Sequence, residues 1–187
     1  MQELAEGLWR WTARHPEWTV DEWWDPEVGC VYYEAPEAVA LIDPLVPADE
    51  QDQFWRALDR DVERLGRPVA VLVTCPWHER SAAAIEARYG ATRELPKGVD
   101  AIAAAPEEVA YWLPAPSTLV VGDVLVGTPS GLQLHPEWIE GVDDAVGAAL
   151  ARFLELPIER VLVSHGSPVF EGGRETLARA IGHAPSA

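Results

Sequence analysis

The sequence predicts an α/β protein, because short apolar runs of strand length alternate along the chain with longer runs that have the apolar spacing of helices. The stretch from 71 to 90, VLVTCPWHERSAAAIEARYG, shows both in succession. An apolar, β-branched run leads into a proline turn, and an alanine-rich helical run follows. The turn holds Cys75, His78, Glu79 and Arg80. Since α/β proteins place their chemistry where a strand ends and a helix begins, this junction is the first candidate site.

The first half of the chain predicts four strands and two helices. The apolar or alternating runs that predict strands are residues 8–12, 30–34, 38–43 and 69–74. Before the last of them, PADEQDQFWRALDRDVERLG starts with a proline and acids and ends at Gly66, as a helix does. Its apolar residues recur at spacings of three and four, namely Phe54, Leu58, Val62 and Leu65. Residues 81–89 predict the second helix, with Gly90 as its stop.

The second half continues the alternation. Its predicted strands are residues 118–121, 124–126 and 160–164, and its predicted helices are residues 142–154 and 173–181. Residues 101–105 are another short apolar segment. Gly122 and Asp123, between two of these strands, suit a hairpin or a tight bend. The signals from 106 to 116 are mixed, and GTPSGLQLHPEW predicts a loop.

Composition limits the class of protein. A chain of 187 residues with 48% hydrophobic and 24% charged residues predicts a single domain, residues 1–187. No apolar run has the length of a membrane helix, and the N-terminus lacks a signal sequence, so we expect a cytoplasmic protein. Cys30 and Cys75 are expected as reduced thiols. A net charge of −17 argues against nucleic acid and anionic membrane as partners.

Two further patterns leave alternatives open. The tetrapeptide HPEW occurs at residues 15–18 and 135–138. This is either a chance match at proline turns or a sign that His15 and His135 lie on two rim loops that face one pocket. Several tryptophans crowd the first 24 residues, namely Trp9, Trp11, Trp18, Trp23 and Trp24. They predict core packing, an aromatic wall, or a self-association patch that would form a homodimer.

Polar landmarks follow several of the predicted strands. They are an Asp that closes a strand (LIDP, Asp43), the junction TCPWHERSA, the GD pair with Asp123, and SHGSP with His165 after the last strand. Their order resembles the metallo-β-lactamase fold superfamily. The resemblance covers about residues 7–181 and implies a four-layer αββα sandwich. Members of that superfamily are mostly metal-dependent hydrolases of thioesters, lactams, lactones and phosphodiesters, with some oxidoreductases.

The resemblance also implies a set of metal-ligand positions. The superfamily motif T-H-x-H-x-D-H corresponds to TCPWHER, so its ligand positions hold Cys75, Trp77, Glu79 and Arg80. A further histidine expected after the next strand has no counterpart in GATRELPKGVDAIAAAP. The bridging acid matches Asp123, the last ligand matches His165, and Asp43 matches an acid that is mainly structural.

These substitutions favour a protein that has lost the metals. An indole has no lone pair to ligate a metal, and a guanidinium brings positive charge to the place of a cation. We therefore expect no cofactor, with Arg80 paired to Asp123 and Glu79 in place of the metal. The leading hypothesis is a non-catalytic module that binds a small molecule or a protein partner at this remnant site. Its pocket would contain Cys75, Trp77, His78, Glu79, Arg80, Asp123 and His165, and an anionic group could dock on Arg80.

The alternative is a divergent hydrolase of esters, thioesters, lactones or phosphodiesters. If Pro76 reshapes the turn, His78 takes the position of Trp77 and rebuilds one site with Glu79, Asp123 and His165 for a single zinc, manganese or iron ion. His15 or His135 would be a further ligand. A nucleophilic pair of Cys75 with His78 or His165 is also conceivable, although a buried cysteine at a strand end is usually a small apolar residue.

Overall fold

The computed structural model describes residues 1–135 and 144–182 of the protein. The chain divides into two compact units. Unit 1 comprises Met1–Val73 and Trp77–Val99, and unit 2 comprises Thr74–Pro76 and the described residues from Asp100 onward. The single domain over residues 1–187 stays a prediction. None of the helices in the described ranges is long and apolar enough to cross a membrane.

Unit 1 is built on a five-stranded sheet in which the strands lie in sequence order. These strands are β1 (Gln2–Ala5), β2 (Leu8–Arg14), β3 (Glu27–Glu34), β4 (Val39–Ile42) and β5 (Val69–Leu72). Neighbouring strands are antiparallel except for β4 and β5, which are parallel. A parallel pair needs a crossover connection, and helix α1 (Gln51–Leu65) supplies it. A 3₁₀-helix (Pro76–His78) and helix α2 (Ala82–Tyr89) follow β5 along the chain.

The core of unit 1 explains why α1 forms as the spacing predicts. Phe54 and Leu58 of α1 are buried in the same apolar cluster as Trp11 of β2 and Val71 of β5. The helix ends at Gly66, whose φ of 59° is left-handed and whose N–H donates to the carbonyl of Val62 over 2.9 Å. The apolar stripe of the sequence therefore faces the sheet.

Unit 2 contains a four-stranded sheet in the order β11-β8-β7-β6. Its strands are β6 (Asp100–Ala105), β7 (Glu108–Leu113), β8 (Thr118–Val121) and β11 (Arg160–Val163). Strands β9 (Leu125–Thr128) and β10 (Gly131–Leu134) form a separate antiparallel pair. The helices of this unit are α3 (Asp144–Arg152), which continues into a 3₁₀-helix (Phe153–Glu155), and α4 (Gly173–Ala180). Leu150, Phe153 and Leu177 from these helices are fully buried in the cluster that includes Leu119 and Val161 of the sheet.

The structure corrects two sequence predictions in unit 2, a loop and a hairpin, and it assigns the segment that sequence left open. Residues 106–116, where the signals are mixed, contain β7. The segment GTPSGLQL is not a loop, because it completes β9 and forms β10. The runs at 118–121 and 124–126 are not a hairpin, since β8 pairs with β7 and β11 whereas β9 pairs with β10. The bend between them is tight, as the alternative predicted. The predicted helix over 142–154 is α3, and its first two residues lie outside the described ranges.

Candidate functional site

Asp43 follows directly after β4 and is almost completely buried. Its backbone has a φ of 47°, which places a non-glycine residue in the left-handed region. Its N–H donates to the carbonyl of Leu72 over 3.0 Å. Oδ2 of Asp43 lies 3.0 Å from Nδ1 of His78, whose side chain is equally buried. An ionised carboxylate only accepts hydrogen bonds, so Nδ1 of His78 is the donor.

Arg80 also has left-handed backbone, with a φ of 36°. One guanidinium nitrogen of Arg80 donates to two main-chain carbonyls, that of Gly29 at 3.1 Å and that of Asp43 at 3.0 Å. These carbonyls belong to β3 and to the end of β4, so the cation is fixed inside unit 1. The positive charge therefore interacts with peptide dipoles of the sheet.

Cys30, next to Gly29 in β3, is completely buried and accepts a hydrogen bond from the N–H of Leu45 over 3.3 Å. Burial raises the pKa of the Cys30 thiol to about 11, and the charge of Arg80 acts in the opposite direction. The thiol is protonated at neutral pH. It is a packing residue and an acceptor, as expected for a reduced cysteine.

Glu79 does not face the interior. Its side chain is 57% exposed, and its carboxylate forms a bidentate pair with Arg93, with a shortest distance of 2.7 Å. The predicted pairing of Glu79 with Arg80 is therefore wrong, because Glu79 is oriented toward the surface. Trp77, two residues before Glu79, is 52% exposed.

In unit 2, the bend at Gly122 and Asp123 is organised by Glu108 at the start of β7. Glu108 is buried, and its carboxylate accepts the N–H groups of Gly122, Asp123 and Val124 at 3.0, 3.0 and 2.9 Å. Three such bonds to one carboxylate are charge-assisted and fix the local backbone. A Cβ at position 122 would lie 2.6 Å from Oγ1 of Thr74, so only glycine fits there. Sequence reasoning missed Glu108, and the one signal for it was an acid at the head of the apolar run VAYWL.

Asp123 and His165 come together as the sequence order predicts. Nε2 of His165 lies 3.1 Å from Oδ1 of Asp123, and His165 is buried. The backbone of His165 is held by its carbonyl, which accepts the N–H of Gly127 over 2.9 Å. Gly166 has a φ of 80°, and a Cβ on it would lie 2.0 Å from the carbonyl oxygen of Gly127. The HG pair therefore needs glycine for close contact with β9.

Cys75 belongs to the same unit and is buried. Its Sγ lies within 4.8 Å of a carboxylate oxygen of Asp123 and accepts from Oγ1 of Thr74 at 3.8 Å. The short segment that carries Cys75 is attached to β7 through the N–H of Val109, which donates to the carbonyl of Thr74 over 2.8 Å. Unit 2 therefore gathers a thiol, a carboxylate and an imidazole.

The residues do not fit a pair of metal ions held as the resemblance implies. Of the four positions in the junction, Trp77 has no lone pair, Arg80 carries positive charge, and Glu79 is bound to Arg93 on the surface. By the chemistry of their side chains, Cys75 and Asp123 of unit 2 could each offer one ligand atom to a single ion. Thiolate, imidazole and carboxylate are donors that zinc accepts.

A pocket of about 970 Å³ opens in unit 1. It is lined by the end of β2, the loop after it, the segment that leads into α1, and residues of the junction, including Arg80. His15 lies at this pocket, while His135 is a buried residue of unit 2. A pocket shared by these two histidines stays a prediction, and the rest of the second HPEW, residues 136–138, lies outside the described ranges.

The N-terminal tryptophans have different environments. Trp11 is buried and donates its indole N–H to the carbonyl of Leu45 over 2.9 Å, so it is a core residue. Trp9 packs edge-to-face on Tyr32, with ring centroids 5.3 Å apart. Trp18 donates to the carbonyl of Trp24 over 2.7 Å and lines the pocket. Trp23 is 47% exposed. Core packing is present for Trp11, whereas an aromatic wall and self-association formed by the N-terminal tryptophans stay predictions.

Comparison with known proteins finds similarity in three-dimensional structure and none in sequence. No family model and no curated protein matches the sequence. Among solved structures, the DIM-1 metallo-β-lactamase is similar with a TM-score of 0.62 at 12% identity, covering 97% of this chain and 95% of that one. A metallo-β-lactamase from Hirschia baltica has a TM-score of 0.59 at 14% identity and covers 99% and 98% of the two chains. One from Erythrobacter litoralis has a TM-score of 0.58 at 16% identity and covers 97% and 89%.

At these identities the likeness concerns the fold, and it extends over nearly the whole chain. It confirms the predicted α+β class and the resemblance in fold. The low identity is consistent with the substitutions in the junction. The protein therefore has the metallo-β-lactamase fold.

Proposed function

We propose that the protein is a non-catalytic member of this fold that binds a small molecule. The observation that supports this most directly is the position of Arg80, whose guanidinium donates to the carbonyls of Gly29 and Asp43. The resemblance assigns a metal ligand to this position, and here it carries a fixed cation. A dication next to it would be repelled at close range, so Arg80 opposes a metal pair.

The neighbouring positions support the same proposal. Glu79 is engaged with Arg93 at the surface, and Trp77 exposes half of its side chain. Trp77 instead borders the pocket of unit 1, together with Arg80. The junction has thus exchanged metal-binding side chains for an indole, whose ring face can pack on an organic ligand, and for a guanidinium that is engaged by two main-chain carbonyls.

Three measurements test this function, namely metal content, turnover and ligand binding. Elemental analysis of the purified protein and titration with zinc, manganese and iron should show no stoichiometric, tight metal. A panel of ester, thioester, lactone and phosphodiester substrates should show no turnover with or without these ions. A thermal-shift screen with a chemically diverse ligand library should find compounds that raise the melting temperature, and Trp77→Leu should weaken them. Metal-dependent turnover that is lost in Asp123→Ala would refute the proposal.

A second candidate is a hydrolase with one metal ion, and specific observations favour it. Nδ1 of His78 donates to Asp43, which is the arrangement in which a metal-ligating histidine is usually held. Asp123 and His165 are in contact in unit 2, beside Cys75. In this candidate Asp123 and His165 of unit 2 would be ligands of the ion, which would supply an activated water. Glu79, which the sequence also nominates as a ligand, would first have to leave Arg93.

The two candidates differ in their response to substitution of Arg80. In a hydrolase, Arg80→His would add a ligand and tighten metal binding while turnover persists or rises. In the non-catalytic protein, the same change removes two hydrogen bonds to main-chain carbonyls and lowers the melting temperature without creating turnover. Lys97→His, at an exposed surface position, controls for adventitious metal binding by an added histidine.

A further inference from the structure

We infer that the pocket of unit 1 binds an organic cation, that is, an ammonium or guanidinium group attached to an apolar body. This inference rests on the proposed binding function and gives the ligand a chemical class. It concerns only the pocket of about 970 Å³ that the end of β2, the loop after it, the start of α1 and the junction enclose.

The charge of the lining favours a cation. Four carboxylate residues line the pocket, namely Glu17, Glu27, Asp49 and Glu50, against two guanidinium residues, Arg14 and Arg80. Both arginines already have partners. Arg14 lies over the ring of Trp18, with its Cζ 5.0 Å from the ring centroid, and Arg80 donates to two carbonyls. The net charge of −17 for the whole chain further raises the local concentration of cations.

The aromatic lining matches the same ligand. Trp18, Trp55 and Trp77 all line the pocket. Two of them bind a guanidinium in the folded chain, since Arg14 lies over Trp18 and the Cζ of Arg88 lies 4.9 Å from the centroid of Trp55. Indole faces attract cations through the ring quadrupole, and cages of such rings recognise ammonium groups. The position of Arg14 over Trp18 shows that an indole ring of this lining accepts a planar cation.

The loop that carries Trp18 is anchored by hydrogen bonds, so this side of the pocket is preformed. The indole N–H of Trp18 donates to the carbonyl of Trp24 over 2.7 Å, and the N–H of His15 donates to the carbonyl of Pro26 over 2.8 Å. On the opposite side, the N–H of Val46 donates to Oγ of Ser81 over 2.9 Å. A ligand would therefore lose little affinity to ordering of the pocket.

The test compares three probes of the same shape and different charge by isothermal titration calorimetry. Choline carries the positive charge, 3,3-dimethylbutan-1-ol is its neutral isostere, and 3,3-dimethylbutanoate is the anion. We expect choline to bind about tenfold or more tightly than the neutral probe, the anion to be weakest, and the affinity for choline to fall as salt is added. Equal binding of choline and its neutral isostere would overturn the inference.

Variants locate the site. Trp77→Leu, and the double change Glu27→Gln with Glu50→Gln, should each weaken choline binding about fivefold or more. The matched controls are Phe170→Leu, an exposed aromatic residue outside the pocket, and Glu63→Gln on the surface of α1, which should leave it unchanged. Circular dichroism and thermal melts establish that each variant is folded. Choline binding that survives both pocket variants would show that it binds elsewhere and refute the inference.

The outcomes separate this inference from the proposed function. If choline fails while neutral or anionic compounds raise the melting temperature and Trp77→Leu weakens them, binding at the pocket stands and its preference for cations is refuted. If metal-dependent turnover appears, the non-catalytic function fails whatever choline does. If choline binds as expected and no turnover is found, both are supported.

Discussion

Replacing Glu108 with glutamine is expected to lower the stability of the protein by about 2 to 4 kcal/mol, although the change removes only a charge and no volume. Oε1 of Glu108 accepts from Gly122, and Oε2 accepts from Asp123 and Val124. A glutamine oxygen placed at the second position keeps two of the three bonds. Its amide NH₂ then faces the N–H of Gly122, where two donors meet.

The magnitude follows from this geometry. One hydrogen bond to a charged acceptor is lost, which costs about 1.5 to 3 kcal/mol, and a buried donor is left opposite another donor. The remaining two bonds also weaken, because their acceptor is now neutral. Against a typical total stability of about 5 to 15 kcal/mol, the loss is large.

Urea unfolding followed by tryptophan fluorescence measures the effect as a lower midpoint with an unchanged slope. Glu107→Gln is the matched control, since Glu107 is the adjacent residue, it is exposed, and its substitution removes the same single charge. It should shift the stability by no more than about 0.5 kcal/mol. If Glu108→Gln were no more destabilising than Glu107→Gln, the three N–H bonds would not be holding the bend, and the account of how Asp123 is positioned would be wrong.

Three further predictions concern stability. Gly127→Ala should cost about 2 to 3 kcal/mol in thermal melts, because the new Cβ would lie 1.9 Å from the carbonyl oxygen of Ser167; an unchanged melting temperature would contradict the close contact. Burial raises the pKa of Cys30 from 9.0 to about 11, so the folded state keeps this proton longer than the unfolded state. The contribution of Cys30 to the free energy of unfolding should be fully present below about pH 9 and should fall by roughly 2 to 3 kcal/mol as the pH rises through 11. Denaturant titrations should show this fall in the parent protein and not in Cys30→Ala. The hydrogen bond from Arg88 lowers the pKa of Asp59, so its contribution is present above the ordinary pKa and is lost as the pH falls through the lowered one; because the pair is exposed, Asp59→Asn should have a small effect that salt suppresses, and a large effect in high salt would be unexpected.

The elements that the sequence predicts correctly are those whose signal is local. Helix α1 has its apolar residues at helical spacing and a glycine at its end, and both properties lie within the segment itself. Strand β10 and the second half of β9 escape prediction, because each strand has only four residues and Pro129 and Gly131 between and within them also suit a loop. The order of Asp43, Asp123 and His165 along the chain predicts the fold because each of these residues follows the end of a strand.

The site is less predictable because its partners are distant in sequence or are not side chains. Asp43 and His78 are 35 residues apart, and nothing local pairs them. The partners of Arg80 include main-chain carbonyls, which every residue possesses, so sequence pattern cannot select the carbonyl of Gly29. Glu79 binds Arg93, which lies 14 residues further along the chain, whereas the prediction considered only the remnant site.

The backbone at positions 123 and 165 is held in place by other residues. The peptide at Asp123 is held by Glu108, and the peptide at His165 is held by the contact between Gly127 and Gly166. The backbone at both positions is thus fixed by bonds and contacts that do not involve the Asp123 and His165 side chains. Substitutions at positions 123 and 165 should therefore disturb the local backbone less than substitutions of Glu108, Gly127 or Gly166, so that the chemistry of this edge can change in single steps.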